Sequence, residues 1–450
     1  MRDSKGKTKV TPRGATGPPE TDGRGRRRSA ATPGSGYRIL IYSHDSFGLG
    51  HLRRCRAIAQ ALVEGHKKLN VLILTGSPII GRFSFPARVD FVRVPGIIKL
   101  RNGDYTSLSL DVNIEHTLAL RASIIEHTAQ AFDPHMFLVD KEPLGLLGEA
   151  RKTLRMLKRR SHCRLVLGLR DIMDEPGLLA EEWRRKRVIP ALEELYDHIW
   201  VYGLPEIYDP VHAYRFPPEV AAKTVFTGYL RRKPQPESRL PLEVAAALQN
   251  GPFLLVTPGG GGDGAELVDA TISAYERFDG RLPWPALVVY GPFLPAHRRE
   301  AFERRAARLR RVTTLTFHEH LENLMEKAAA VVCLGGYNTF CEILSLNKRS
   351  IIVPRVRPRA EQLLRANAAS KLGLVQVLYP DRLTPETLSE ALIHLPERPL
   401  PASHRIPGLL DGLRHINTTV ARWRLKGERP SRPWGQRHAG RSRQGLPAGL

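Results

Sequence analysis

Cysteine is scarce: Cys55, Cys163, Cys333 and Cys341 are the four in 450 residues, and no two form a CxxC pair. That spacing excludes a zinc ribbon and a disulfide framework, and each thiol reads as a small buried side chain. Long apolar runs are missing too. No stretch reaches the roughly 18 residues of a membrane span, and the N-terminus has no apolar signal core, so a cytoplasmic chain is expected. Acidic residues are outnumbered, 45 against 69 Lys and Arg, for a formal charge of +24. Residues 1–36 hold nine basic and three acidic groups and 427–450 hold five and one, which puts +10 at the ends and leaves +14 on the body. Both ends are rich in Gly, Pro, Ser and Arg and are expected to be disordered basic tails. Within the body the charge gathers in "RKTLRMLKRR" (151–160) and in 298–311, which read as solvated helix faces. An anionic membrane surface or a polyanion is the competing partner for them. Nucleic acid is not favoured, because no helix-turn-helix, zinc-finger or RNA-recognition signature accompanies the charge.

What the sequence does have is alternation. Short apolar runs at 38–43, 70–75, 90–95, 136–140, 163–169 and 198–203 are separated by helical patterns such as 52–64, 114–132 and 178–195. Pro-rich text fills 204–250, and the pattern restarts at 253–258, 286–291, 313–317, 330–335, 350–354 and 375–379. Buried strands alternating with helices make parallel sheets from βαβ units, so the expected fold is α/β with two doubly wound, Rossmann-like domains. The expected division is a first Rossmann-like domain at 37–220, a second at 221–400, and a helix at 401–426 that crosses back onto the first. Ligands of such sheets bind beyond the strand C-termini, here in the cleft between the domains.

Three loops beyond strand ends carry chemistry. "HDSFGLGHLRRC" (44–55) places Asp45, Gly48, Gly50 and His51 between a strand and a helix with arginines in its first turns. "TPGGGGDG" (257–264) offers Gly259, Gly260, Gly261 and Gly262 ahead of a helix, bare backbone N–H groups suited to a diphosphate. It is a weak dinucleotide fingerprint, because no ribose-binding acid follows the next strand. "CLGGYNTFCEILSLNKRSIIVPRVRPRAEQ" (333–362) brings Gly335, Gly336, Asn338, Thr339, Glu342, Glu361 and Gln362 behind two successive strands. Glu342 suits ribose hydroxyls, and Glu361 and Gln362 suit sugar hydroxyls. "VDKEPLG" (139–145) and "LRDIMDEP" (169–176) add Asp140, Lys141, Glu142, Arg170 and Asp171, read either as a salt-bridge network or as acceptor recognition and catalysis.

The block 333–373 resembles the donor-binding signature of glycosyltransferase family 28, the family of the peptidoglycan N-acetylglucosaminyltransferase. Gly335, Gly336, Thr339, Glu342, Glu361 and Gln362 occupy the family's places, and Gly48, Gly50 and His51 match its N-terminal Gly-Gly-His loop. "GGGGDG" stands where the family has a Gly-Gly-Ser-like loop, with Asp263 and the extra glycines departing from it. The whole chain is more similar to a bacterial group of predicted glycosyltransferases that carry "VDKEPLG" and "LRDIMDEP". Those blocks are absent from the peptidoglycan enzyme, so its acceptor does not carry over.

The resemblance implies a glycosyltransferase B-type fold and an inverting hexosyltransferase that uses a nucleotide-diphosphate sugar, UDP-linked, with no cofactor and no bound metal. It makes 37–220 the acceptor domain and 221–400 the nucleotide-sugar domain; the acceptor would be lipid-linked or a small molecule, and the site peripheral to the inner membrane face. Donor contacts are expected from the glycine loops, His318, Asn338, Thr339, Glu342, Glu361 and Gln362. His51, with an unperturbed pKa near 6.5, is the expected base. Asp45, Asp140, Lys141, Glu142, Arg170 and Asp171 are the rival bases or acceptor contacts. Two other classes stay open: a nucleotide-sugar hydrolase or epimerase of the same fold, and a basic polyanion-binding scaffold.

Overall fold

The computed structural model describes residues 36–44, 50–100, 104–234, 242–248, 251–260 and 262–426. Asp45, Gly48, Gly261 and the two expected tails, apart from Gly36, lie outside the described residues.

Fifteen strands run through the described chain: β1 (Tyr37–Ser43), β2 (Leu69–Thr75), β3 (Val89–Arg93), β4 (Ile97–Lys99), β5 (Tyr105–Ser107), β6 (Met136–Asp140), β7 (Arg164–Arg170), β8 (His198–Tyr202), β9 (Thr224–Phe226), β10 (Leu254–Thr257), β11 (Ala286–Val289), β12 (Val312–Leu315), β13 (Ala330–Cys333), β14 (Arg349–Ile352) and β15 (Gln376–Val377). The first sheet has the order β3-β2-β1-β6-β7-β8-β9 and the second β12-β11-β10-β13-β14-β15, both with parallel pairing throughout, while β4 and β5 form a small antiparallel pair. Central strands such as Met136–Asp140 and Ala330–Cys333 are buried at every position, as expected for sheets covered on both faces.

Each sheet turns outward in both directions from one place, β1/β6 in the first and β10/β13 in the second. These switch points leave a crevice beyond the strand C-termini, which is where open α/β sheets hold ligands. The sequence reading contained neither β4 nor β5, and two further details differ from it. The helical pattern at 178–195 is two helices, Pro176–Lys186 and Val188–Leu195, with Arg187 left-handed between them (φ 51°). Pro190 explains the restart, because a proline is tolerated only in a helix's first turn. The seventh strand, β9, lies inside the Pro-rich stretch, where three residues are too few to show a period.

The helix Gly412–Lys426 lies against the first sheet, with Trp423 stacked on His198 (4.7 Å between ring centres) and Trp200 (5.8 Å) of β8. One buried cluster joins residues of both sheets, including Ile41, Trp200, Tyr229, Leu255, Tyr337 and Phe340. Its centre is aromatic: Tyr229 stacks on Tyr337 at 6.0 Å and meets Phe340 edge-on at 5.2 Å.

Candidate active site

Ser43, the last residue of β1, pairs in register with Asp140, the last residue of β6. The helix Gly50–Gly65 starts beyond β1, so its first turn stands over the end of β6. His51 Nδ1 is 2.5 Å from Asp140 Oδ2. Two acceptors at that distance would repel, so Nδ1 carries the proton and donates it, and Nε2 keeps its lone pair. Arg54, three residues on and therefore on the same helix face, donates Nε to Asp140 Oδ1 (2.8 Å) and Nη2 to Oδ2 (2.5 Å). Asp140 and Arg54 are buried, and the two donors hold the carboxyl well below its usual range against the opposing effect of burial. Its oxygens are committed to Arg54 and His51, which places Asp140 to orient the histidine. Burial lowers His51 itself to about 4, with the Asp140 contact resisting and Arg54 assisting, so the ring is neutral at pH 7 and does not keep the ordinary value.

His51 lines a cleft of about 310 Å³ whose opposite wall is the second sheet's loops. Gly50, Arg170, Gly259, Gly260, His318, Gly335, Gly336, Asn338, Thr339, Glu361 and Gln362 line it as well. Gly335 sits at φ +75°, and a Cβ there would lie 2.6 Å from Ile352 Cγ2, so only glycine lets the chain turn from β13 into the helix Tyr337–Ser345. Gly335→Ala is therefore expected to lower thermal stability measurably, by more than the ~1 kcal/mol that a relaxed Gly-to-Ala change can contribute. Gly262 belongs to the same 257–264 loop but is not among the cleft-lining residues.

Arg355 ties the far wall together. It donates to Glu361 Oε1 (2.7 Å) and to Asp263 (2.7 Å), and its backbone N–H donates to Gln362 (3.0 Å). Glu361 Oε2 is left buried without a partner among the described residues, an acceptor available to a hydroxyl. Asn338 already bonds Gly50 O (2.9 Å) and Arg232 (2.8 Å), bridging the two walls. Arg170 reaches the cleft with its Nε unpartnered among the described residues. Burial and the neighbouring guanidinium of Arg54 lower it to about 10, still cationic at pH 7.

Four residues stand apart from this arrangement. Asp171 is fully buried, clamped by Arg365 (2.7 Å to each oxygen) and by the Tyr229 hydroxyl (2.8 Å), so it joins the halves instead of facing the cleft. Glu142 pairs with Lys141 (3.5 Å) and Lys186 (3.2 Å), and neither it nor Lys141 lines the cleft. Burial lowers Lys141 to about 8. Glu342, expected beside the other donor residues, instead borders a neighbouring cavity of about 620 Å³ and is bonded by Arg53 at 2.6 Å. Arg53 lines both cavities, as does Glu319. The sequence reading missed Arg53, Arg54, Arg355 and Arg365. The first two were visible as arginines in the opening turn of the 50–65 helix, and Arg54 is spaced to share a face with His51.

Among the described residues no group of three or more His, Cys, Asp or Glu side chains is placed to hold a metal ion, and no helix is long and apolar enough to cross a membrane.

Residues 260–405 match the C-terminal domain of glycosyltransferase family 28. A curated relative, the UDP-N-acetylglucosamine--N-acetylmuramyl-(pentapeptide) pyrophosphoryl-undecaprenol N-acetylglucosamine transferase of Shouchella clausii, is 34% identical over 80 residues, 17% of this chain and 23% of the relative. The chain thus spans less than a quarter of the length of that relative. Among solved structures, a UDP-glucosyltransferase from Polygonum tinctorium superposes with a TM-score of 0.58 at 14% identity, covering 87% of this chain and all of that one. MurG of Acinetobacter baumannii gives 0.52 at 13% identity, covering 86% and 99%. At such identities the likeness establishes the two-sheet fold, and the resemblance to family 28 rests on the segment 260–405, which holds the far wall of the cleft.

Proposed function

We propose that this chain is a glycosyltransferase that moves a hexosyl group from a nucleotide-diphosphate sugar, UDP-linked, to an acceptor hydroxyl, with His51 as the general base. The observation that carries the reading is the Asp140–His51 pair facing the Gly259–Gly260 and Gly335–Gly336 loops across one cleft. The acceptor hydroxyl gives its proton to His51 Nε2 while its oxygen attacks the anomeric carbon. The bond to the diphosphate breaks on the opposite side, so the configuration inverts. The leaving diphosphate would be met by glycine-loop N–H groups, the N-terminus of the helix 337–345 and the Arg170 guanidinium. Asp263, the one acid in the 257–264 loop, is already paired with Arg355, which supports catalysis without a bound metal. Glu361 and Gln362 would receive sugar hydroxyls, and His318 belongs to the nucleotide side. Exposed Leu100, Leu110, Val112 and Leu120 in the first lobe suit an apolar acceptor or contact with a membrane surface.

The test is a panel of UDP-sugars incubated with and without extracts of lipid-linked and small acceptors, in the presence of a chelator. Transfer of sugar that requires acceptor and survives chelation is expected. Stoichiometric release of free sugar without acceptor would replace transfer by hydrolysis, and no nucleotide-sugar turnover or binding would refute the enzyme reading.

A further inference from the structure

Arg53 follows His51 by two residues on a helix of the first lobe, yet its contacts lie on the second. Nη2 donates to Glu342 Oε1 at 2.6 Å and to Glu322 Oε2 at 3.1 Å. Glu342 is 1% exposed, and its other oxygen, Oε2, is buried with no hydrogen-bond partner among the described residues. A buried carboxylate oxygen with nothing to accept is costly unless a ligand supplies the donor.

The groups facing Glu342 come from three elements: Arg53 on the helix 50–65, Glu322 on the helix Leu321–Lys327, and Arg232 on the segment 231–234. Glu319 borders the same cavity, and His320 lies 3.3 Å from Glu322. Burial and Glu322 raise the Glu342 carboxyl while Arg53 and Arg232 oppose them. Removing Arg53 leaves Arg232 alone against both.

We propose that Arg53 is a positioning residue for donor binding: its bond to one oxygen of Glu342 fixes the carboxylate, so that the other oxygen accepts a ribose hydroxyl. The inference rests on the donor reading above. It makes nucleotide affinity depend on a side chain of the acceptor lobe, so donor binding and the approach of the two lobes are one event.

The experiment is calorimetric titration with UDP and 2′-deoxy-UDP across a series of pH values. Wild type is compared with Arg53→Ala, Arg53→Lys and Arg53→Ala/Glu342→Gln, with folding checked by thermal melts. Arg53→Ala should weaken UDP about tenfold or more at the acid end of the series and recover as the pH rises, because a protonated Glu342 is a poorer acceptor. Its preference for UDP over 2′-deoxy-UDP should shrink at the acid end. Arg53→Lys keeps a cation and should stay close to the flat wild-type profile, which also serves as the comparison should Arg53→Ala not fold. The double variant should lose the pH dependence. Arg53→Ala binding UDP within about twofold of wild type at every pH overturns the inference, as does a pH dependence that persists without the Glu342 carboxylate. Failure of wild type itself to bind UDP or any other nucleoside diphosphate is the separate outcome that overturns the donor reading, and this inference with it.

Discussion

His51→Gln is expected to reduce turnover by about 10²–10⁴-fold, the usual worth of a positioned base. Glutamine keeps a side-chain N–H for Asp140 and removes the basic lone pair, so the change isolates proton transfer from packing. UDP affinity should move by less than about twofold, because the expected nucleotide contacts lie on the second sheet. Asp140→Asn, which cannot hold the imidazole in its Nδ1–H tautomer, should lose activity in the same sense. The wild-type pH profile gives an independent check. With His51 lowered to about 4 by burial, kcat/KM should hold from neutrality down into the acid range and fall as the imidazole takes up its proton near that value. Loss of rate already near pH 6.5 would mean that the ring is not desolvated as described. The same group acts on stability. The unfolded chain binds a proton near pH 6.5 and the folded ring near 4, so stability is lost as the pH falls between those values. His44, buried and lowered to about 3, adds to that loss with the same sign. A His51→Gln variant that retains most of its rate would remove the histidine from the chemistry.

Asp171→Ala is the substitution expected to cost the fold most, about 3–5 kcal/mol, because it leaves the Arg365 guanidinium buried without its counter-charge. Asp171 and Arg365 are both 0% exposed, and the Tyr229 hydroxyl would lose its acceptor in the same change. The pair spans 194 residues of sequence and joins β7's end to the helix Glu361–Lys371, so its loss should loosen one lobe from the other as well as lower the melting temperature. Asp171→Leu combined with Arg365→Met should be less destabilised than either single change, since replacing both charges removes the unpaired ion. A melting temperature unchanged by Asp171→Ala would show that the guanidinium finds water or another acid, and that the pair does not hold the lobes.

The sequence exposed the frame because buried parallel strands are written as short apolar runs, and twelve of them were legible. It exposed the glycine loops because only glycine permits the turns at the strand ends. It could not say which charges face the cleft. Asp140 and Asp171 follow adjacent strands in the same kind of motif, yet one orients His51 and the other is clamped between halves by an arginine 194 residues away. Such partners are set by the packing of distant helices and leave no local spacing to read. Glu342 shows the same limit: its position in the motif was clear, while the Arg53 contact depends on how the two lobes meet.

The terminal helix has a consequence for synthesis. Trp200 of β8 receives its stacking partner, Trp423, from 223 residues further along the chain. A nascent polypeptide that has released all seven strands of the first sheet still presents that apolar face uncovered, and it stays so while the entire second sheet is translated. At roughly 5–20 residues per second the interval is on the order of tens of seconds, long enough for a chaperone to engage the exposed strand ends. The first lobe is therefore begun early and finished last, and a ribosome that stops before codon 412 releases a chain whose leading half lacks its own cover.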